Sequence, residues 1–233
     1  MKKIFTKINK LFTSGWISLV LILSMVAMPP GAFSQELPAI ENVIQKIQSN
    51  YEKTKDLRAD FIQEITIKSI KKMEREEGKV FFKNPKNMLW DYTKPKGKKL
   101  VINRQNSWLY LAQQKVVYRQ KSDSVFQSRI LIDFFAGSGK LQKDFIIKYA
   151  ETGALDKNGN YLLVLVPREK GSTFSSVKLT IDKDKYYIAG LSFDDALGNT
   201  TSLKFSNVVF NKGIKESFFK FQPPAGVEIF DVP

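Results

Sequence analysis

Residues 78–92, GKVFFKNPKNMLWDY, decide the fold of this chain. The segment holds two apolar runs, which the dipeptide Asn84-Pro85 separates. Because side chains two residues apart lie on the same face of a β-strand, Met88, Trp90 and Tyr92 share one face. The segment therefore predicts two strands, of which the second carries a row of large apolar side chains.

Short runs of the same kind make up most of the chain after Leu57, where apolar and polar residues begin to alternate. Further strands are predicted at Leu100–Asn103, Ser107–Leu111, Lys115–Arg119, Phe145–Tyr149, Tyr161–Pro167, Val177–Asp182, Ala189–Asp194, Thr200–Phe210 and Phe218–Gln222. Asn158-Gly159 and Gly198-Asn199 are typical hairpin turns. About eleven or twelve strands without intervening helices indicate a mainly antiparallel sheet that curls into a barrel or sandwich.

Two segments have helical periodicity. Apolar residues from Leu37 to Tyr51 recur every three or four positions, which predicts an amphipathic helix over Pro38–Lys55. Ser124–Leu141 repeats the pattern and ends in a Gly-Ser-Gly stretch, so we expect a second, short helix there.

Residues 1–34 have the pattern of a cleavable signal peptide. Basic residues are followed by an apolar run from Trp16 to Met28, then by Pro29-Pro30-Gly31 and the small residues of Ala32-Phe33-Ser34. The alternative is a membrane anchor, but the apolar run is shorter than the roughly 20 residues that span a bilayer. We expect residues 35–233 to form a single exported domain.

The composition excludes several kinds of active site. The chain has no histidine and no cysteine, so it has no Ser-His-Asp triad, thiol nucleophile or imidazole-thiolate metal site. An oxygen-ligand cation site stays open, and Asp194-Asp195 is a candidate, although a turn explains that pair better. We expect no enzyme activity, no cofactor and no metal. The formal net charge of +14 suggests nucleic acid, but export argues against that partner.

The large apolar side chains suggest a barrel interior. Trp108 and Tyr110 share one face of another strand, as Met88, Trp90 and Tyr92 do on theirs. Small barrels fill their interior with such side chains, whereas some barrels keep a cavity for an apolar ligand. Periodicity alone leaves both alternatives open.

From the first helix onward, the chain resembles the periplasmic outer-membrane lipoprotein carrier family, LolA. The similar motifs, in the family's order, are Leu57–Gln63, Gly78–Pro85, Met88–Tyr92 with Pro95, Ser107–Tyr110, Asp194–Thr200 and Phe219–Ile229. Each motif is weak alone, and their order makes the joint signal strong.

The resemblance implies an incomplete antiparallel β-barrel covered by an α-helical lid. Its function would be that of a periplasmic chaperone in a Gram-negative bacterium, binding acyl chains of lipoproteins in a hydrophobic cavity. It would receive them from an inner-membrane ABC-type releasing complex and deliver them to an outer-membrane receptor where one exists. We expect a monomer. The alternative is a LolA-like sensing or glycolipid-binding module without a transport role.

The resemblance also implies which residues form the site. Met88, Trp90 and Tyr92 are expected to line the cavity first, and the remaining lining residues are Phe61, Ile65, Val80, Phe82, Trp108 and Tyr110. The inner face of the lid is expected to carry Ile130, Leu131 and Phe134.

The chain departs from the family at positions where an arginine is frequent. Asn84 and Leu89 occupy two such positions, and in the family the first arginine can fasten the lid backbone. Lys83 and Lys86 are candidates to replace it, although lysine lacks the planar fork of arginine.

Overall fold

A computed structural model of the chain describes residues 37–122, 141–168 and 174–232. The chain from Leu37 onward forms one compact unit. Helix α1 spans Ile40–Glu52 and a single helical turn, α2, spans Leu141–Asp144. Two 3₁₀ turns span Lys68–Ile70 and Glu216–Phe219.

Twelve strands account for most of the described residues. They are β1 (Asp56–Ile67), β2 (Lys72–Lys83), β3 (Asn87–Lys94), β4 (Lys98–Ile102), β5 (Asn106–Leu111), β6 (Val116–Lys121), β7 (Phe145–Tyr149), β8 (Tyr161–Pro167), β9 (Phe174–Ile181), β10 (Ile188–Asp195), β11 (Thr200–Phe210) and β12 (Glu228–Asp231).

All twelve strands belong to one sheet, in the order β12-β6-β5-β4-β3-β2-β1-β11-β10-β9-β8-β7. Neighbours are antiparallel, except that β12 runs parallel to β6. In the part of the chain that the structure describes, no pairing joins β12 to β7, so the sheet stays open. The expected mainly-β, incomplete antiparallel barrel is confirmed. No helix among these residues is both long and apolar enough to cross a membrane.

Helix α1 forms where the sequence predicts it, although it is shorter at both ends than Pro38–Lys55. Its apolar stripe, Val43, Ile44, Ile47 and Tyr51, is buried. Val43, Ile47 and Tyr51 pack on the inner face of β8–β10, in a cluster that includes Leu163, Leu179 and Ile188. The helix therefore covers the inner face of these strands.

The strand predicted at Phe218–Gln222 is wrong. The 3₁₀ turn that ends at Phe219 and the residues after it lie across the other face of the sheet instead. Phe219 is buried there with Leu89 and Val101, so the alternation with Phe221 reflects packing rather than strand pairing.

The strand β12 follows this segment and was not predicted. The second helix expected at residues 124–141 lies outside the described residues, except for its last position.

Gly78 allows an aromatic ring to lie directly on the sheet. It pairs with Phe61 on β1 and with Tyr92 on β3. A Cβ at this position would collide with the Asp91 carbonyl oxygen and would lie 2.8 Å from Cε1 of Phe61. The ring of Phe61 thus occupies the space that a side chain would need.

We expect Gly78→Ala to destabilise the protein by about 1–3 kcal/mol, because the methyl group overpacks a fixed backbone and a buried ring. The urea midpoint of the variant measures this loss, with Ser206→Ala at an exposed position of β11 as the control. Equal midpoints for the two variants would show that the ring and backbone yield easily.

Candidate functional site

The inner face of β1–β4 forms the second apolar cluster of the molecule. Cross-strand pairs place its members side by side, with Val80 opposite Trp90 and Phe82 opposite Met88. The buried members are Leu57, Ala59, Phe61, Val80, Phe82, Met88, Tyr92 and Ile102. Trp90 and, from β11, Phe205 and Val208 pack against them. Five of the strands thus contribute to one continuous apolar face.

Aromatic rings fix the geometry of this face. Phe61 meets Trp90 edge to face at a centroid distance of 4.6 Å and Tyr92 at 5.1 Å. The indole Nε1–H of Trp90 donates to the sulfur of Met88 at 2.9 Å. The one polar group of the tryptophan is therefore paired within the site, and the surface that it presents is apolar.

A small void lies between this face and α1. Its volume is about 30 Å³, roughly the share of one water molecule in the liquid. The lining residues are almost entirely apolar: Tyr51, Leu57, Ala59, Val80, Phe82, Met88, Trp90, Ile188, Phe205 and Val208. Ligand pockets usually measure about 300–1,000 Å³, so this site must expand before it holds a ligand of ordinary size.

A larger groove lies on the outer face of β8–β11 and has a volume of about 460 Å³. Its outward side chains include Lys178, Lys204 and the hydroxyl groups of Thr180 and Ser192. Leu162 and Val164 also line this groove, but charges and hydroxyls interrupt its apolar surface, whereas the inner void is lined almost entirely by apolar atoms. The inner void is the better candidate for an apolar ligand.

Hydrogen bonds hold α1 over the void. The Tyr51 hydroxyl accepts a hydrogen bond from the backbone N–H of Ile188 at 3.0 Å. The Asn50 side-chain amide donates to the carbonyl of Lys185 at 3.0 Å, and Lys46 Nζ donates to the Tyr186 hydroxyl at 3.0 Å. Burial raises the pKa of Tyr51 far above its usual value near 10, because the phenolate would lose its hydration there.

The link between α1 and β1 is fastened by the β2–β3 connection and by the chain after β11. Asn84 Nδ2 donates to the carbonyl of Thr54 at 2.8 Å. The buried Asp56 carboxylate accepts the backbone N–H groups of Lys212 at 2.8 Å and Gly213 at 3.0 Å. Lys83 Nζ reaches the carbonyl of Ile214 at 2.7 Å instead of α1. The asparagine itself thus holds the segment that links α1 to β1.

The inner face ends in a polar rim near Tyr92. Lys98 Nζ pairs with Glu76 at 2.7 Å and lies 4.4 Å from the centre of the Tyr92 ring. Burial raises the pKa of Tyr92 above its usual value, and the Glu76 carboxylate adds to the shift. The ion pair marks the boundary between the apolar face and solvent.

The structure brings most of the expected cavity residues together. The apolar cluster contains Phe61, Val80, Phe82, Met88, Trp90 and Tyr92. Ile65 points to the same side of β1 but lies between Glu74 and Thr201, outside the cluster.

Trp108 and Tyr110 lie elsewhere. Trp108 pairs with Val101, which belongs to the outer cluster, and its ring lies 6.1 Å from that of Phe221. Tyr110 lies 5.8 Å from the same ring. Lid residues Ile130, Leu131 and Phe134 are outside the described residues.

Several lining residues were not predicted. Tyr51 and Ile188 close the void from α1 and β10, and Phe205 and Val208 close it from β11. The apolar stripe of α1 already contained Tyr51, but no local pattern shows that it faces β3. Asp194 and Asp195 end β10 and lead into a turn, as expected, and the Asp195 carboxylate accepts the Asn199 N–H across that turn. No group of three or more metal-ligating side chains occurs among the described residues.

An open sheet with an apolar face, a helix across it and an apolar void between them is suited to a protein that binds an apolar ligand. The chain belongs to the outer membrane lipoprotein carrier protein LolA family, whose family model matches residues 52–222.

Two relatives agree with this assignment, and one solved structure shares the fold. An outer-membrane lipoprotein carrier protein from Methylococcus capsulatus is 27% identical over 187 residues, covering 80% of this chain and 86% of the relative. One from Ralstonia nicotianae is 30% identical over 152 residues, covering 65% and 67%. The crystal structure of an uncharacterized conserved protein from Thermus thermophilus shares the fold, with a TM-score of 0.53 and 15% identity, covering 84% of this chain and 100% of that one.

The raised pKa of Tyr51 predicts a loss of stability in alkali. Above about pH 10 the unfolded chain releases the Tyr51 proton while the folded protein keeps it, so stability falls by up to about 1.4 kcal/mol per pH unit from this group. Tyr51→Phe should therefore show a shallower fall, from a starting stability that is lower by about 1–3 kcal/mol because the Ile188 N–H loses its acceptor.

Urea unfolding from neutral to alkaline pH measures both effects. Tyr118→Phe, at an exposed position on β6, is the matched control. Parallel pH slopes for wild type and Tyr51→Phe would contradict the role given to the buried hydroxyl.

Proposed function

We propose that this protein carries lipoproteins across the periplasm, holding their acyl chains between α1 and the inner face of β1–β4. The observation that carries the proposal is the apolar void that Val80, Phe82, Met88, Trp90 and Tyr51 enclose. Relatives over most of the chain's length are named for this function.

The energetics suit such a task. Each buried methylene contributes about 0.8 kcal/mol, so an acyl chain of ordinary length gains on the order of 10 kcal/mol by leaving water. The bonds that close the site, such as Tyr51 to Ile188 and Asn84 to Thr54, are each worth about 1 kcal/mol net. Displacing α1 would also expose its buried stripe, at about 1.5–3 kcal/mol for each fully buried side chain, so the gain from an acyl chain and the cost of opening are of similar size. The net affinity is therefore low enough for release.

Met88 and Trp90 are suited to the opened site. The thioether side chain is flexible and adapts to irregular apolar shapes. The sulfur of Met88 accepts the indole N–H of Trp90. When the Met88 side chain moves away, this N–H becomes available to a carbonyl oxygen of the cargo. The site needs no cofactor and no catalytic step to bind and release its ligand.

The remaining parts of the proposal concern the route. Residues 1–34 would direct export and be removed, leaving residues 35–233 as a single monomeric carrier domain in the periplasm of a Gram-negative bacterium. The carrier would accept cargo from an inner-membrane ABC-type complex and deliver it to an outer-membrane receptor where one exists. Sequencing the amino terminus of the exported protein tests the first step, and an uncleaved Met1 would contradict it.

The direct test titrates residues 37–233, the compact unit, with a triacylated lipopeptide and with the same peptide without acyl chains. We expect soluble one-to-one binding of the acylated form alone, seen by gel filtration and tryptophan fluorescence. No binding of either form would contradict the proposal.

Variants at the two tryptophans locate the binding site. Trp90→Glu should weaken lipopeptide binding by about tenfold or more, because it introduces a charge into the apolar face. Trp108→Glu is the matched control on the outer face and should leave affinity unchanged in protein with native circular dichroism.

In conservative variants, Trp90→Phe should abolish the fluorescence response and Trp108→Phe should keep it. The reverse pattern would move the site to the outer face.

A further inference from the structure

One end of the sheet exposes three large aliphatic side chains. Ile70 in the β1–β2 connection and Met73 near the start of β2 are each 63% exposed, and Leu197 in the β10–β11 turn is 81% exposed. The two connections lie at the same end, because Thr66 of β1 pairs with both Met73 and Thr200. We call this end, residues 66–73 and 195–199, the tip.

The β10–β11 turn holds Leu197 outward in a fixed conformation. The Asp195 carboxylate accepts the backbone N–H of Leu197 at 2.8 Å and that of Asn199 at 2.9 Å. It also accepts the Asn199 side-chain amide at 2.9 Å, and this bond lowers the pKa of Asp195. The exposure of Leu197 is therefore built into an ordered turn and does not come from a loose loop.

The two connections are joined to each other. The backbone N–H of Lys68 donates to Oδ1 of Asn199 at 3.1 Å. Gly198 leaves room for the Lys68 side chain, since a Cβ there would lie 3.2 Å from the lysine Cδ. The two connections of the tip are thus held together, with their aliphatic side chains exposed.

Charges at the tip favour an anionic surface. Lys68 and Lys71 lie in the β1–β2 connection, and Lys72, the first residue of β2, pairs with Glu74 at 2.8 Å. Within the described residues, no ion pair engages Lys68 or Lys71. The carboxylates keep their charge: Asp195 lies within the tip, and Asp194 and Glu74 lie just outside it. Within residues 66–73 and 195–199, three lysines stand against one carboxylate, so the tip itself is net positive.

We propose that the tip docks this protein onto the surface of a phospholipid bilayer that contains anionic lipids. Aliphatic side chains that enter the interface gain hydrophobic free energy, and lysines just behind them contact the headgroup phosphates. A few such residues give weak, reversible binding, which positions the protein at a membrane without anchoring it. The proposal adds a membrane contact to the carrier and does not depend on where the acyl chains bind.

The test measures co-sedimentation of residues 37–233 with phosphatidylcholine vesicles that contain phosphatidylglycerol, and with vesicles of phosphatidylcholine alone. We expect stronger binding to the anionic vesicles, weakened by salt. The triple variant Ile70→Ser, Met73→Ser, Leu197→Ser should bind at least about tenfold more weakly. The double variant Lys68→Gln, Lys71→Gln should lose about fivefold per lysine on anionic vesicles only.

The matched control is Ile146→Ser with Phe218→Ser, two apolar side chains that are 51% and 50% exposed outside the tip. This control should bind vesicles like the wild type, and the triple variant should still bind lipopeptide. Absence of wild-type vesicle binding, or an equal loss in the control, would overturn the proposal. Binding to soluble polyglutamate in place of vesicles, lost in the lysine variant, would overturn it too and assign the tip to an acidic protein.

Discussion

An unclosed sheet with an apolar face must cover that face or expose it to water, and this requirement organises the whole molecule. Helix α1 covers β8–β10, and the aromatic residues of β1–β4 cover one another beside it. The two regions meet at Tyr51, whose hydroxyl satisfies the Ile188 N–H at the joint. The void lies between α1 and the aromatic cluster of β1–β4, where the two do not pack tightly against each other. A ligand would enter most readily at this gap.

A nearly filled site is an advantage for a reversible carrier. A large permanent cavity would cost stability in the empty protein, because its walls lose packing partners. In this structure Met88 lies against the indole of Trp90, and α1 is held by its hydrogen bonds. In the proposed mechanism, acyl chains would replace these contacts instead of filling a preformed hole.

The period-two pattern from Gly78 to Tyr92 correctly predicted β2 and β3, and the choice of their inner face came from the resemblance to the family. The pattern shows which residues share a face, but not which face becomes the interior. Trp108 therefore appeared equivalent to Trp90, although Phe221, far along the chain, covers it from outside. The same non-local packing turned the run around Phe219 into a cover rather than a strand. Sequence patterns also did not predict the contributions of α1 and β11 to the void.

The central position of β1 has a consequence for how the chain acquires its structure. β1 pairs with β2, which follows it directly, and with β11, which spans Thr200–Phe210 near the end of the chain. Because the chain is synthesised with its amino terminus first, β1–β6 can form an early meander. The edge of β1 that later pairs with β11 has no partner at that stage. Unpaired edges recruit foreign strands, and such distant pairings form slowly. The nascent chain therefore depends on protection against aggregation until its final segments arrive.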